Sequence, residues 1–276
     1  MLVHAHPDDE AIPTGATMAS YARQGVSICL VTCTRGERGE IVDEGLAQLR
    51  DAGPEELGQH REIELAAALA ELGNPRHEFL GGPGRWWDSG MAGTPDNDDP
   101  RAFHRADPAE TLRAMVEVIR RERPDVVICD DDRGSYGHPD HVQAHRVTMA
   151  ALEPAGDPGY APELGQPWTV RKVYWTAIPR AAVQRMVAEA GLTLGDDMPG
   201  VPDEAITTQV DGRPFREAKL AALRAHRSQV NLTDGFFAKV AQRPELGLEH
   251  FRLVRGERGP AGPGEQGWED DLFAGL

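Results

Sequence analysis

Cysteine is scarce in this chain, with three among 276 residues, at positions 29, 33 and 129, and no CxxC pair. Cys29 and Cys33 lie four apart in VSICLVTC, which reads as a buried strand. Residues four apart on a strand are roughly 13 Å from each other, whereas a disulfide needs Cα atoms within about 7 Å. Buried free thiols in a reducing cytoplasm are therefore expected, with no cysteine metal site. Lysine is also rare, at 172, 219 and 239 alone, so nearly all basic residues are arginine. Apolar runs fall far short of the ~18 residues a membrane helix needs, and Met1 leads directly into a strand-like stretch, so neither a span nor a signal peptide is expected. No GxGxxG, P-loop or Gly-x-Ser-x-Gly pattern is present, which removes the usual nucleotide-binding and serine-hydrolase signatures.

Net positive charge is missing too. The formal net charge is −16, from 29 Lys+Arg against 45 Asp+Glu. That balance argues against nucleic acid and anionic membranes as partners. The excess is concentrated early, because residues 1–150 hold 27 acids and 15 bases. Most of it reads as solvated surface, with some acids left to serve a cation. Apolar residues at 40 % and charged residues at 27 % are an ordinary globular composition.

The first half alternates strand and helix signals. Strands are expected at Leu2–Ala5, Val26–Cys33, His77–Leu80 and Val126–Cys129. Helices are expected at Ala16–Gln24, Leu57–Leu72, from the Asp107-Pro108 cap to Arg123, and from Pro139 to about Leu152. This repetition predicts an α/β fold, a Rossmann-like, mostly parallel sheet with helices on both faces. The second half is less regular. Residues 153–167 read as a loop, Val170–Ile178 and Ile206–Val210 as strands, Ala181–Ala190 and Arg216–His226 as helices, and 255–267 as loop. Trp268, Leu272 and Phe273 are placed to dock the tail. A single domain is expected, with residues 1–152 as the core and 153–276 shaping a pocket.

Five of the ten histidines fall in two short stretches, HAHPDDE at 4–10 and GSYGHPDHVQAH at 134–145. Each follows a predicted strand and precedes a predicted helix. In a parallel sheet such junctions share the carboxyl edge, where ligands bind. A catalytic zinc takes three His or carboxylate ligands and keeps an open position. His6 and Asp9 can supply two from one turn, and His141 or His138 a third. Bound zinc lowers the pKa of water from ~15.7 to about 7. Asp8, beside Asp9, can then accept the proton. Tyr136 and His138 can donate to an oxyanion, and Asp140 can orient a histidine. Ferrous iron would fit the same ligands. A lone HxxD is weak evidence, since Asp and Pro also start helices, and His145 sits one helical turn from His141. His60, His77, His104, His226 and His250 are isolated and read as surface or core.

At these residues the chain resembles the LmbE/PIG-L family of zinc-dependent N-acetylglucosamine deacetylases, through His6-Pro7-Asp8-Asp9-Glu10 and His138-Pro139-Asp140-His141. The resemblance implies a Rossmann-like fold and hydrolysis of a sugar acetamide. It implies one zinc on His6, Asp9 and His141, with Asp8 as general base. His138 would be a protonated catalytic donor and Asp140 its partner. The stretches TCTRGERGE, LGGPGRWWDSGMAG, SYGHPDH, QPWTVRKVYWT and GWEDDLFAGL resemble the mycothiol-pathway branch, which acts on N-acetylglucosaminyl-inositol. That branch implies that Arg61, Asp88 and Glu40 face a small sugar-inositol substrate, with Tyr136 assisting the oxyanion. The S-conjugate amidase branch shares both metal motifs and is the chief rival. Residues 10–15, EAIPTG, depart from relatives in carrying Pro13.

Overall fold

The computed structural model describes residues 1–189, 200–263 and 266–276. Seven strands form one sheet: β1 (Leu2–His4), β2 (Cys29–Thr32), β3 (Arg76–Phe79), β4 (Val126–Cys129), β5 (Lys172–Ala177), β6 (Thr208–Asp211) and β7 (Leu248–Arg255). Their spatial order is β3-β2-β1-β4-β5-β7-β6. β1 to β5 run parallel, while β7 is antiparallel to β5 and to β6. The α/β expectation is met, and the sheet continues past residue 152, since three of its strands follow that position. The antiparallel β7 was not foreseen from the sequence.

Helices fill the connections: α1 (Gly15–Arg23), α2 (Gln48–Ala52), α3 (Pro54–Glu71), α4 (Pro108–Glu122), α5 (Gly134–Gly137), α6 (Pro139–Gly156), α7 (Arg180–Glu189), α8 (Arg216–Ala225) and α9 (Gly235–Ala241). The last residue expected for the helix at 181–190, and residues 264–265 of the loop expected at 255–267, lie outside the described residues.

Alternation along the central strands feeds two cores. Val3, Val31, Val127 and Cys129 pack with Met115 and Ile119 of α4 and Val147 of α6. Leu2, Leu30 and Ile128 point the other way, onto Met18 of α1 and Leu65 and Leu69 of α3. Both faces are thus apolar, as a parallel sheet covered on each side requires. All three cysteines are free and buried. Burial pushes the Cys29 thiol up to about 11, so the thiol form persists there.

Two boundaries differ instructively from expectation. β2 has four residues, not eight, the four that pair with β3 on one side, three of which also pair with β1 on the other. α6 runs past Leu152 and carries Pro154 inside its last turn. The buried Arg120 braces this end by donating to the carbonyls of Pro154, Ala155 and Asp157, which also accept backbone N–H groups. The tail docks as expected. Leu272 is buried and its N–H donates to the Tyr21 hydroxyl at 2.8 Å. Glu269 accepts from Tyr174, Thr208 and Lys172.

Among the described residues no helix is long and apolar enough to cross a membrane.

Candidate active site

The two histidine-rich segments follow β1 and β4, which are neighbours in the sheet. The chain order reverses there: from β1 it proceeds outward to β2 and β3, then returns to β4 on the other side. Such a switch point opens a crevice at the carboxyl edge. The topology therefore brings residues 6–10 against residues 136–141.

Local structure then aims the side chains. At β1's end the carboxylate of Asp9 turns back and accepts the N–H of His6 at 2.8 Å. Asp8 between them adopts φ 112°, a conformation that costs a non-glycine residue roughly 1–3 kcal/mol and persists only where its surroundings enforce it. Arg61, buried on α3, enforces it. One guanidinium nitrogen donates to the Pro7 carbonyl and to Asp8 Oδ2, the latter at 3.1 Å. At the other segment Pro139 opens α6 and His138 caps it, its Nδ1 accepting the Asp140 N–H at 3.2 Å. With Nδ1 an acceptor, the ring proton of neutral His138 sits on Nε2.

Nitrogens of His6, His138 and His141 lie within 4.8 Å of one another, and all three residues are buried. Asp9 places Oδ2 3.5 Å from His6 Nδ1 and Oδ1 3.5 Å from His141 Nε2. His6 Nε2 faces Asp140 at 3.2 Å and Asp88 at 3.6 Å. Asp8, Asp9, Asp88, Asp130 and Asp140 thus surround three imidazoles, with Arg61 the paired guanidinium among them. Two imidazoles and a carboxylate are a suitable donor set for a divalent ion, and the surplus of carboxylates favours a cation. A second group able to hold an ion, Cys29, Glu78 and Glu122, has its carboxylates already paired with Arg121 and Arg76.

The charges respond to this crowding. Burial pushes the Asp8 carboxyl up to about 6, against the lowering effect of Arg61. Burial also opposes charge on Asp9, but His141 and His6 hold it well below the usual carboxylate range. For His141 burial is outweighed by Asp9 and Asp130, which raise it to about 9. Burial and then the cationic His6 push His138 down to about 3. Both this downward shift and the Asp140 N–H held by Nδ1 favour the uncharged ring at His138.

The other expected residues take varied places. Asp140 contacts His6 and Ser89 through its carboxylate, and meets His138 only through its backbone N–H. Expected as the partner of His138, it meets His6 through its carboxylate and His138 through its N–H. Tyr136 is 53 % exposed, with its hydroxyl 3.5 Å from His141 Nε2, so it stands at the mouth of the cluster. Asp88 sits 3.6 Å from His6 Nε2 and 3.7 Å from His138 Nε2, inside the cluster. Glu40 is exposed on the loop before α2, outside this group. Three residues were missed. Asp130, directly after β4, lies 3.3 Å from His141 Nδ1. Its place after an apolar strand was the only available signal. Ser89 donates to Asp140 from both N–H and hydroxyl. His226 lies 2.6 Å from Glu10.

Comparison with known proteins shows the family of the chain. The family model described as PIG-L, GlcNAc-PI de-N-acetylase, matches residues 1–152, and the chain belongs to that family. It is 57 % identical over 277 residues to 1D-myo-inositol 2-acetamido-2-deoxy-alpha-D-glucopyranoside deacetylase 2 of Saccharopolyspora erythraea, covering all of both chains. The deacetylase of the same name from Geodermatophilus obscurus is 49 % identical over 290 residues, covering 100 % of this chain and 97 % of the relative. Among solved structures, N,N'-diacetylchitobiose deacetylase from Pyrococcus horikoshii superposes with a TM-score of 0.63 at 19 % identity, covering 92 % of this chain and 83 % of that one. A 4-carboxy-2-hydroxymuconate hydratase from Pseudomonas putida reaches the same TM-score of 0.63 at 22 % identity, covering 93 % of this chain and 95 % of that one. These structural likenesses establish the fold, which carries more than one chemistry.

Proposed function

We propose that the chain is a metal-dependent hydrolase that removes the acetyl group from 1D-myo-inositol 2-acetamido-2-deoxy-alpha-D-glucopyranoside, releasing the free amine and acetate. One observation carries this reading: the match to the Saccharopolyspora deacetylase runs at 57 % identity across the whole of both chains. The metal is taken as zinc, one per chain, held by His6, Asp9 and His141. When bound it supplies Lewis acidity, which activates water and polarises the acetyl carbonyl.

The side chains do the rest. Asp8 accepts a proton from the attacking water, and a carboxyl near 6 is suited to taking and returning a proton at neutral pH. The C–O bond forms and the C–N bond breaks. The same Asp8 proton goes to the departing amine nitrogen. His138 donates from Nε2 to the developing oxyanion, and the Tyr136 hydroxyl assists from the rim. Asp130 and Asp140 hold His141 and His6 in orientation. Arg61 keeps Asp8 in place and, with Asp88 and Glu40, meets sugar or inositol hydroxyls. A neutral, hydroxyl-rich substrate suits a chain of net charge −16. Residues 1–152 and 153–276 act as one domain, the second part backing the site through the turn at 226–230.

The test is purified protein of measured metal content, incubated separately with the acetamido sugar-inositol and with a mycothiol S-conjugate. Acetate from the first alone is expected. Turnover of the second alone would make the chain an S-conjugate amidase. No turnover of any acetamido sugar would leave a metal-dependent sugar binder.

A further inference from the structure

Glu10 is the fifth residue of the HPDDE segment and has no part in the chemistry above. It is completely buried, as is His226, more than two hundred residues later in the chain. Its two carboxylate oxygens have different duties. Oε2 accepts the backbone N–H of Asp8 at 3.0 Å, and Oε1 lies 2.6 Å from His226 Nε2, which donates to it. The first contact falls on the residue with the φ of 112°.

His226 is itself anchored. It directly follows α8, and two residues on, Ser228 donates to Glu64 from its N–H at 2.7 Å and its hydroxyl at 2.6 Å. Glu64 is on α3, one turn from Arg61. Arg61 grips Asp8 from the other side. A closed circuit results: α3, Arg61, Asp8, Glu10, His226, Ser228, Glu64 and α3 again. Arg61 holds the carboxylate of Asp8, and Glu10 holds its peptide. Arg61 also takes the Pro7 carbonyl, so the two residues grip the Pro7–Asp8 peptide from its C=O and from its N–H.

We propose that Glu10 and His226 are positioning residues for Asp8, locking its left-handed backbone so that the carboxylate meets the attacking water. This rests on the reading of Asp8 as the general base. A buried pair kept for stability alone would have no need to direct its second oxygen onto the peptide of that base. Small misplacements of a reacting group can cost about 100-fold in rate.

The experiment is a double-mutant cycle on the metal-loaded enzyme, with metal content and Tm measured for every variant. Glu10→Ala is expected to lower kcat by about 30- to 100-fold while KM changes less than about threefold and bound metal is unchanged. Glu10→Gln keeps a carbonyl acceptor for the Asp8 N–H and is expected to recover kcat to within about fivefold of the parent. In an Asp8→Ala background, adding Glu10→Ala is expected to cost no more than about twofold further. If Glu10→Ala does not fold, His226→Gln replaces it in the same cycle, with an expected loss of about tenfold. The proposal is overturned if the single variant stays within twofold of the parent. It is equally overturned if the same loss recurs without Asp8, or if the loss vanishes when rates are expressed per bound metal. Full activity in Asp8→Ala alone would overturn the reading of the base instead, whatever Glu10 does.

Discussion

Asp140 places its Oδ2 3.2 Å from Nε2 of His6, although His138 is only two residues away in the chain. The same carboxylate accepts from the N–H and hydroxyl of Ser89. An amide at this position keeps one acceptor and presents a donor to the other partner. Asp140→Asn is therefore expected to weaken metal binding by about 10- to 100-fold. Titration of the metal-free variant against a chelator checks it. Unchanged affinity would mean that His6 needs no orienting carboxylate.

Asp8→Asn preserves size and an acceptor for Arg61 while removing the basic oxygen. A fall in kcat of about 100- to 10,000-fold is expected, with bound metal retained. Steady-state assays at matched metal content measure it. A variant within twofold of the parent would remove Asp8 from the proton-transfer role.

Two histidines away from the site set an acid limit on stability. Burial pushes His77 and His250 down to about 4, against an ordinary value of 6.5. The unfolded chain binds these protons from about 6.5 downward, and the folded chain only near 4. Between those values the unfolded state holds more protons, so stability falls as pH falls. Each histidine contributes a slope of about 1.4 kcal/mol per pH unit in mid-window, fully recovered above 6.5. Chemical denaturation at pH 7, 6 and 5 should show a shallower slope in the His77→Gln/His250→Gln double variant. An identical slope would contradict the assignment.

Glu269 holds the tail to the sheet. It is buried and lies 3.3 Å from the Nζ of the buried Lys172. Glu269→Ala leaves that ammonium without a carboxylate and should cost about 3–5 kcal/mol. Urea unfolding gives the number directly, and a loss below 1 kcal/mol would show that the tail is not anchored there.

Much of this arrangement was legible in the sequence because it is encoded locally. The strand-helix alternation of residues 1–152 and the two HPD segments at strand ends need only neighbours along the chain to be read. β7 was not legible for a physical reason. Its buried Glu249 looks like a surface residue, yet it accepts the N–H groups of Ala16 and Thr17 at α1's start and pairs with Lys219. A partner 233 positions distant leaves no periodic trace. Asp130, Ser89 and His226 escaped for the same reason, since each acquires its meaning from a contact across the fold.

The adjacency of β1 and β4 also bears on how the molecule forms. His6 and His141 are separated in the chain by β2, β3 and α4, and meet at the centre of the sheet. Closing so long a loop is slow compared with forming local helices. The complete ion-binding constellation is therefore absent from early folding species, and high affinity arises with the finished topology. In refolding, the appearance of tight metal uptake would mark the docking of β4 beside β1, later than the recovery of helical signal.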